Sequence, residues 1–202
     1  MLEGEYTSIE ILDELKNRKR YTNYRTAYYM LLMMLRDEYD RRIIGIKGLR
    51  HIGKTTVMKQ LCAKLNGSVF FDAAAFVRSG NRCSTGELKV RLFECVKDAD
   101  RKYIFIDEVN TLQEIGIDVK SVIEYLYDCN VRVVITSSST IYLDMLLNGG
   151  QSRENRYVGI AGYTRMKLFM MGEMSFQEYL RFNNKLGWDK YYIGESLDEL
   201  KK

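Results

Sequence analysis

The stretch GLRHIGKTT, residues 48–56, combines two glycines, one lysine and two threonines in the spacing G-x-x-x-x-G-K-[ST]. Glycines let successive main-chain N–H groups point to one side, and a helix that follows adds the positive end of its dipole. Such a loop binds phosphate groups, with the lysine on the phosphates and the first hydroxyl on Mg²⁺. We therefore predict that Lys54 binds phosphate and that Thr55 ligates Mg²⁺. The predicted nucleotide-binding residues are Gly48, Arg50, His51, Ile52, Gly53, Lys54, Thr55 and Thr56.

A pair of acids follows a second apolar run. The sequence YIFID, residues 103–107, ends in Asp107, and Glu108 comes next. Taken alone, the pattern also fits a solvated acidic turn. Because it lies about 50 residues after the phosphate motif, it predicts that Asp107 holds Mg²⁺ and that Glu108 orients or deprotonates the water that attacks the γ-phosphorus.

Hydroxyl side chains end a third apolar run, in the sequence VVITSSST, residues 133–140. At the end of a strand, such hydroxyls can face the γ-phosphate, orient the attacking water and report hydrolysis. We predict this sensor role for the hydroxyls that follow Ile135. The alternative is a hydroxyl-rich turn that caps the next helix.

Composition excludes several other chemistries. The chain of 202 residues has one histidine, His51, and four cysteines without a C-x-x-C pair, which excludes a multi-histidine zinc site, a zinc ribbon and a thioredoxin-like motif. We assign His51 to loop packing or solvent exposure and the cysteines to the core. The net charge of +4 is compatible with anionic ligands but is too small to establish a nucleic-acid partner.

The sequence contains neither a predicted membrane span nor a secretory signal. Its longest apolar run is nine residues, 27–35, whereas a bilayer span needs about 20. The N-terminus carries the acids Glu3 and Glu5 and no apolar block. We therefore predict a cytoplasmic protein without a membrane partner.

Five β-rich runs alternate with amphipathic helical stripes, and S-x-x-E sequences at Ser84 and Ser175 predict capped helix starts. This alternation predicts an α/β fold, a three-layer αβα sandwich with a mostly parallel five-stranded sheet and an N-terminal helical extension. Ligands of such sheets bind at the carboxyl ends of the strands, which is where the three chemical groups lie. The predicted strands are residues 42–47, 68–73, 103–107, 131–136 and 164–171.

An amphipathic stripe from Tyr21 to Leu35 precedes the sheet. We predict that it packs on the core, with a partner-binding or adenine-contacting surface as the alternative. The basic run at residues 17–20 is predicted to be a solvated face, with DNA or RNA contact as the alternative. The predicted domains are residues 1–40, the helical extension; 41–171, the nucleotide-binding core; and 172–202, the helical start of a C-terminal region.

Together, the motifs GLRHIGKTT, YIFIDEV, VVITSSS and MSFQEYL resemble the AAA+ superfamily of P-loop ATPases. The closer resemblance is to a prokaryotic group in which an N-terminal AAA domain precedes a C-terminal domain of unknown function, and it covers residues 42–180. It implies Mg²⁺-dependent ATP hydrolysis or ATP-gated switching, with Ser138 as the sensor-like hydroxyl. It also implies a sheet in which the sensor strand lies between the P-loop strand and the Walker B strand. Adenine specificity follows from the resemblance and from the lack of an N-K-x-D motif.

Two of the sequence's departures from this group bear on its activity and its extent. Where the family commonly has a Gly-Arg pair, this chain has Gly162-Tyr163. We expect Arg165, Arg156 or Arg153 to replace that arginine, a neighbouring subunit to supply it, or hydrolysis to be slow. The family's chains are also considerably longer, so we expect the C-terminal region to be truncated here.

The leading functional hypothesis is an ATP-binding P-loop ATPase that uses Mg²⁺ and couples hydrolysis to a conformational change. A nucleotide-gated interaction module that hydrolyses ATP slowly or not at all is the alternative. A small-molecule P-loop kinase is the third, although only Arg78 and Arg82 suggest its arginine-rich lid. The predicted catalytic residues are Lys54, Glu108, Ser138 and Arg165.

Overall fold

A six-stranded sheet forms the centre of the molecule. The computed structural model describes residues 4–17, 23–147 and 165–183. The strand order is β1-β3-β4-β5-β2-β6, with β1 antiparallel to β3 and every other pairing parallel. The strands are β1 Glu5–Thr7, β2 Ile43–Lys47, β3 Ser68–Asp72, β4 Tyr103–Asp107, β5 Arg132–Thr136 and β6 Met166–Met170.

Eight α-helices and one 3₁₀-helix are present in the described parts of the chain. The predicted capping boxes form at Ser84 with Glu87 and at Ser175 with Glu178, where side chain and main chain bond reciprocally. The helices are α1 Ser8–Asn17, α2 Thr26–Arg36, α3 Lys54–Lys64, α4 Ala73–Arg78, α5 Thr85–Glu94, α6 Val119–Asp128, α7 Thr140–Leu147 and α8 Phe176–Phe182, and the 3₁₀-helix is Val109–Ile115.

The helices cover both faces of the sheet because side chains alternate between the faces along each strand. One cluster of buried side chains packs against α4, α5, α6 and α7, and the other against α1, α2 and α3. Members of the first cluster on the strands are Ile43, Phe71, Ile104, Ile106 and Ile135, and members of the second are Ile44, Phe70, Phe105 and Val134. The chain is therefore a three-layer αβα sandwich.

The predicted fold class is confirmed. All five predicted strands form, and β5 lies between β2 and β4 as the resemblance implies. Two details differ. The N-terminal extension contains β1, which is too short for its alternation to be recognised, and Ala73 begins α4 because the side chain of Asp72 caps that helix.

The predicted helix before the sheet forms over Thr26–Arg36, and Tyr28, Leu31 and Leu35 are buried in the core. Tyr21 and residues 18–20 of the basic run lie outside the described residues. The division into three domains stays a prediction. Among the described residues, no helix is both long and apolar enough to cross a membrane.

Candidate nucleotide-binding site

Three strand ends meet at one edge of the sheet. The parallel register pairs Ile46 near the end of β2 with Thr136 at the end of β5, and Ile106 of β4 with Ile135 of β5. The loop after β2 and the acids after β4 are therefore separated by a single strand. Thr136, on that intervening strand, lies between the two groups that the sequence motifs predict to cooperate.

The loop after β2 depends on its two glycines for different reasons. A Cβ on Gly48 would lie 2.4 Å from the Ile52 side chain and 2.4 Å from the carbonyl oxygen of Met171, so only glycine fits there. Gly53 has space around it but adopts φ 95°, a left-handed conformation that glycine favours. His51 also has a left-handed φ of 63° and is exposed. These conformations turn the chain tightly into the first turn of α3.

Lys54 begins α3 and lies inside the loop. Only 7% of the residue is exposed, and its ammonium donates hydrogen bonds to the carbonyl oxygens of Gly48 at 3.0 Å and Leu49 at 2.8 Å. Arg50 is exposed, and Thr56 is half-buried on α3. The loop thus places one cation at the positive end of the α3 dipole.

The two predicted Mg²⁺ ligands are in direct contact. The hydroxyl of Thr55 donates a hydrogen bond of 2.7 Å to Oδ2 of Asp107, and the hydroxyl of Thr136 donates to Oδ1 of the same carboxylate. Asp107 is 4% exposed, and burial raises its pKa. The two hydroxyl groups oppose that increase, whereas the negative charges of Glu108 and Asp72 add to it. A cation at this carboxylate would relieve both the burial cost and the repulsion.

Glu108 is fixed by the end of β5. Its φ of 55° is left-handed, and its main-chain N–H donates to Oγ1 of Thr136 at 3.1 Å. Its carboxylate accepts a 2.7 Å hydrogen bond from the main-chain N–H of Ser138. The hydroxyl of Ser138 lies 3.4 Å from Nδ2 of Asn110. Ser138 therefore contacts the acid pair through its amide, and its hydroxyl faces Asn110.

The sequence analysis did not single out four residues at this site, which are Asp72, Asn110, Thr136 and Arg25. Thr136 bonds both acids, Asn110 also accepts a hydrogen bond from Ser137, and Asp72 ends β3 beside Asp107 in the register. The position of Thr136 as the last residue of an apolar strand was a usable signal. The other roles depend on neighbouring strands and have no local signature.

Arg25, just before α2, connects the loop to the C-terminal side of the core. It is 8% exposed, and its guanidinium donates to the carbonyl oxygens of Ile52 at 2.7 Å and Glu173 at 2.8 Å. It also forms a 3.0 Å ion pair with Glu178, whose other oxygen accepts the main-chain N–H of Thr26 at 2.7 Å. The carbonyl of Ile52 is part of the loop, so the hydrogen bond from Arg25 helps to fix the position of the loop.

Arg165 is not brought to this site, which corrects the expectation that it replaces the family's arginine within the chain. Its carbonyl oxygen accepts the N–H of Ile43, the first residue of β2, so it lies at the amino ends of the parallel strands. Its guanidinium pairs with Asp128 at 2.7 Å and lies over the ring of Tyr127. The other expected positions, Gly162-Tyr163, Arg153 and Arg156, are outside the described residues.

The donor set fits Mg²⁺ shared with a phosphate. Asp107 and Thr55 supply hard oxygen ligands, and Mg²⁺ binds through one or two protein oxygens together with phosphate oxygens and water. Over the described residues, no group of three or more histidine, cysteine, aspartate or glutamate side chains is arranged to hold a metal by itself. The site therefore suits a metal that arrives with a nucleotide.

A parallel sheet in this strand order, with a glycine-lysine-threonine loop after β2, defines a P-loop nucleotide-binding domain. A model of the family described as "AAA domain" matches residues 40–180, most of the chain. The chain therefore belongs to this family. No curated protein sequence matches the chain significantly.

Two solved structures share the fold at low sequence identity. The Walker-type ATPase PABY2304 of Pyrococcus abyssi is similar with a TM-score of 0.55 and 13% identity, over 87% of this chain and 60% of that chain. PCH-2 of C. elegans is similar with a TM-score of 0.50 and 16% identity, over 91% of this chain and 57% of that chain. This chain thus spans less than two thirds of either protein, and the similarity concerns the fold.

Proposed function

We propose that this domain binds ATP with Mg²⁺ and hydrolyses it, and that hydrolysis is coupled to movement of the loop after β5. The observation that supports this most directly is the 2.7 Å hydrogen bond between Thr55 and Asp107 beside the loop that holds Lys54. It brings the phosphate-binding motif and the acid pair within reach of one ligand. The predicted cytoplasmic setting, which supplies ATP and Mg²⁺, is part of the proposal.

In this mechanism, the main-chain N–H groups of the loop and the ammonium of Lys54 bind the phosphates. Lys54 exchanges the carbonyl oxygens of Gly48 and Leu49 for phosphate oxygens. Thr55 and Asp107 hold Mg²⁺, directly or through its water shell. When bound, Mg²⁺ neutralises charge that develops on the transferred phosphate.

Glu108 orients the attacking water and accepts its proton. In the described geometry, Oε2 of Glu108 accepts the N–H of Ser138, and the other carboxylate oxygen is left to accept the proton. A protonated carboxyl is a weaker hydrogen-bond acceptor, so proton transfer loosens this contact with the loop after β5, which is how hydrolysis would reach the surface. Ser138 then acts as the predicted sensor through its amide as well as its hydroxyl.

The transition-state arginine is proposed to be Arg153 or Arg156, which lie outside the described residues, or to come from a second subunit; otherwise hydrolysis is slow. Arg165 is at the opposite edge of the sheet, and Arg25 is held by carbonyl oxygens and Glu178. An arginine supplied in trans adds about 10³-fold or more to phosphoryl transfer in related systems. Association of two subunits around bound ATP is the form of this proposal in which the arginine is supplied in trans.

The second candidate is a nucleotide-gated interaction module. The hydrogen bond from Ser138 to Glu108 favours it, because it connects the carboxylate that would activate the water to the loop after β5, where a bound partner would control its position. A small-molecule kinase remains the third candidate. It predicts phosphorylated product only when an acceptor is added.

Phosphate release and nucleotide titration of Glu108→Gln test the proposal. We expect Glu108→Gln to bind Mg·ATP as the unchanged chain does and to lose phosphate release by about 10²-fold or more, because the general base is removed. Lys54→Ala should lose ATP binding while keeping its fold, and a parallel titration with GTP tests adenine preference.

Glu114→Gln is the matched control, since Glu114 is exposed on the 3₁₀-helix after the acid pair. It should leave binding and phosphate release unchanged. Equal, slow phosphate release in the unchanged chain and Glu108→Gln, with tight ATP binding in both, would support the gated module. ATP binding by Lys54→Ala at unchanged affinity would refute the site.

A further inference from the structure

A cavity of about 270 Å³ opens at the sheet edge opposite the phosphate-binding loop. Its lining includes Arg41, two residues before β2, and the first residues of β4 and β5, Tyr103 and Arg132. The loop that holds Lys54 follows the other end of β2. Strands of five residues span roughly 17 Å, so the cavity and the nucleotide site lie at opposite poles of the sheet.

The cavity carries an excess of positive charge. Five cationic and two anionic side chains line it, which leaves three positive charges without a counterpart in the lining. The cations are Arg36, Arg41, Arg101, Lys102 and Arg132, and the carboxylates are Glu38 and Asp100. The whole chain has a net charge of only +4, so its positive charge is concentrated here.

Two of these arginines, Arg101 and Arg132, have hydrogen-bond partners, and only Arg101 is paired with a carboxylate. Arg101 forms an ion pair of 2.6 Å with Glu38. Arg132 donates to the main-chain carbonyl oxygens of Asp37 and Asp40. Those carbonyls orient the guanidinium of Arg132. The negative charges of Asp37 and Asp40 attract it, but neither carboxylate forms an ion pair with Arg132 within the described residues, so the guanidinium can still bind an anion in the cavity.

The other three cations form no ion pair with the residues that the structure describes. The ammonium of Lys102 lies 5.9 Å from the ring centroid of Phe93, a contact without negative charge. Arg36 and Arg41 form no ion pair with any residue that the structure describes. Burial lowers the pKa of Arg132, and the positive charge of Arg41 lowers it further, whereas Tyr103, Asp37 and Asp40 act in the opposite direction. A bound polyanion would remove the repulsion between Arg41 and Arg132.

A fully exposed aromatic ring lies next to the cavity in the chain. Tyr39 has a relative exposure of 101%, and its main-chain N–H is held by Oδ1 of Asp37 at 2.9 Å. It follows Glu38, which lines the cavity, and precedes Asp40, whose carbonyl orients Arg132. A free aromatic face beside cations suits stacking on an unpaired base.

We propose that this basic cavity and Tyr39 bind single-stranded nucleic acid. The arginines and Lys102 hold successive phosphates, and Tyr39 stacks on a base. A duplex does not offer that base face, because its bases are stacked within the helix. The proposal does not depend on ATP hydrolysis, since its residues lie at the pole opposite the loop.

The test is fluorescence anisotropy of a labelled single-stranded oligonucleotide of about 12 nucleotides, within the range of known single-strand site sizes. We expect Arg36→Glu/Arg41→Glu to weaken binding by about tenfold or more. The slope of log K against log salt concentration should fall by roughly 1.4, since each phosphate contact contributes about 0.7. Tyr39→Ala should weaken binding about tenfold with little change in that slope.

Arg78→Glu/Arg82→Glu is the control, because it changes the net charge equally at exposed arginines outside the cavity. It should bind like the unchanged chain, and the melting temperatures of both double variants verify folding. Equal losses in the two double variants would overturn the proposal. So would loss of strand binding in Lys54→Ala, absence of strand binding by the unchanged chain, or strand binding that Tyr39→Ala leaves unchanged.

Discussion

The carboxylate of Asp107 accepts hydrogen bonds from two hydroxyl groups on two different elements, Thr55 on α3 and Thr136 at the end of β5. The elements α3, β4 and β5 therefore meet at one buried carboxylate. Burial raises the pKa of Asp107, and these hydroxyls stabilise its ionised form. A hydroxyl or carboxylate moved by an ångström at this point would separate the proposed metal ligands.

Gly48→Ala tests the close packing of the loop at this scale. Its Cβ would meet a side chain and a main-chain oxygen at 2.4 Å, so the loop must shift. We expect a loss of about 1–3 kcal/mol in the free energy of unfolding and weaker ATP binding. Urea denaturation and nucleotide titration measure the two effects.

Gly86→Ala provides the control for that prediction. Gly86 lies in α5, and a Cβ there meets nothing closer than 3.9 Å. Because alanine is the better helix former, this variant should gain roughly 0.5–1 kcal/mol. Equal stability of the two alanine variants would contradict the close contact at Gly48.

One buried carboxylate accepts hydrogen bonds from main-chain N–H groups at the starts of two helices. Glu178 belongs to the capping box of α8 and also accepts the N–H of Thr26, the first residue of α2. Burial alone would raise the pKa of Glu178, but the hydrogen bonds from Arg25, Ser175 and Thr26 outweigh it and hold that pKa below its usual value. Since Arg25 also bonds Ile52, these helix starts are connected to the phosphate loop.

Arg25→Lys tests whether this connection positions the loop. Lysine keeps the charge but lacks the planar fork that reaches Ile52 and Glu178 together. We expect the Kd for ATP to rise about tenfold, because the Ile52 carbonyl and the adjoining loop amides lose their orientation. Nucleotide titration is the measurement.

Glu178→Gln is the comparison, since it weakens the ion pair and leaves the bond from Arg25 to Ile52 intact. Both variants should lower the melting temperature, but Glu178→Gln should affect ATP affinity less. If both shift stability and neither shifts affinity, Arg25 has only a structural role.

At the scale of the whole molecule, chain segments far apart in sequence meet at the amino ends of the strands. Asp40, before β2, bonds Arg42 and accepts a 2.7 Å hydrogen bond from Lys167 on β6. The hydrogen bond from Arg42, supported by Lys167, holds the pKa of the Asp40 carboxyl well below its usual range. This cluster fastens the edge strand β6 to the segment that leads into β2.

Asp40→Asn should therefore change how stability depends on pH. The pKa of Asp40 is lower in the folded chain than in the unfolded one, so its ionised form stabilises the fold above about pH 4. That contribution is lost as the pH falls towards the folded-state pKa. Urea denaturation at pH 7 and pH 3 should show a smaller acid-induced loss in Asp40→Asn than in the unchanged chain. An identical loss in both would contradict it.

The sequence by itself determined the class of fold, the phosphate loop and the acid pair. Those features are local: the glycine-lysine spacing of residues 48–55 and the apolar run that ends at Asp107 each lie within one short segment. Alternating strands and helices fix the sandwich because a sheet with two apolar faces must be covered on both.

Only the tertiary structure decided which residues complete the site. The hydrogen-bond partners of Thr136, Asn110 and Arg25 at the site lie 27 or more residues away in sequence. Long-range pairing also placed Arg165 at the opposite pole and formed the basic cavity from three separate segments, residues 35–41, 100–103 and 130–132. Periodicity and spacing describe one segment at a time, whereas contacts between strands depend on their order in the sheet.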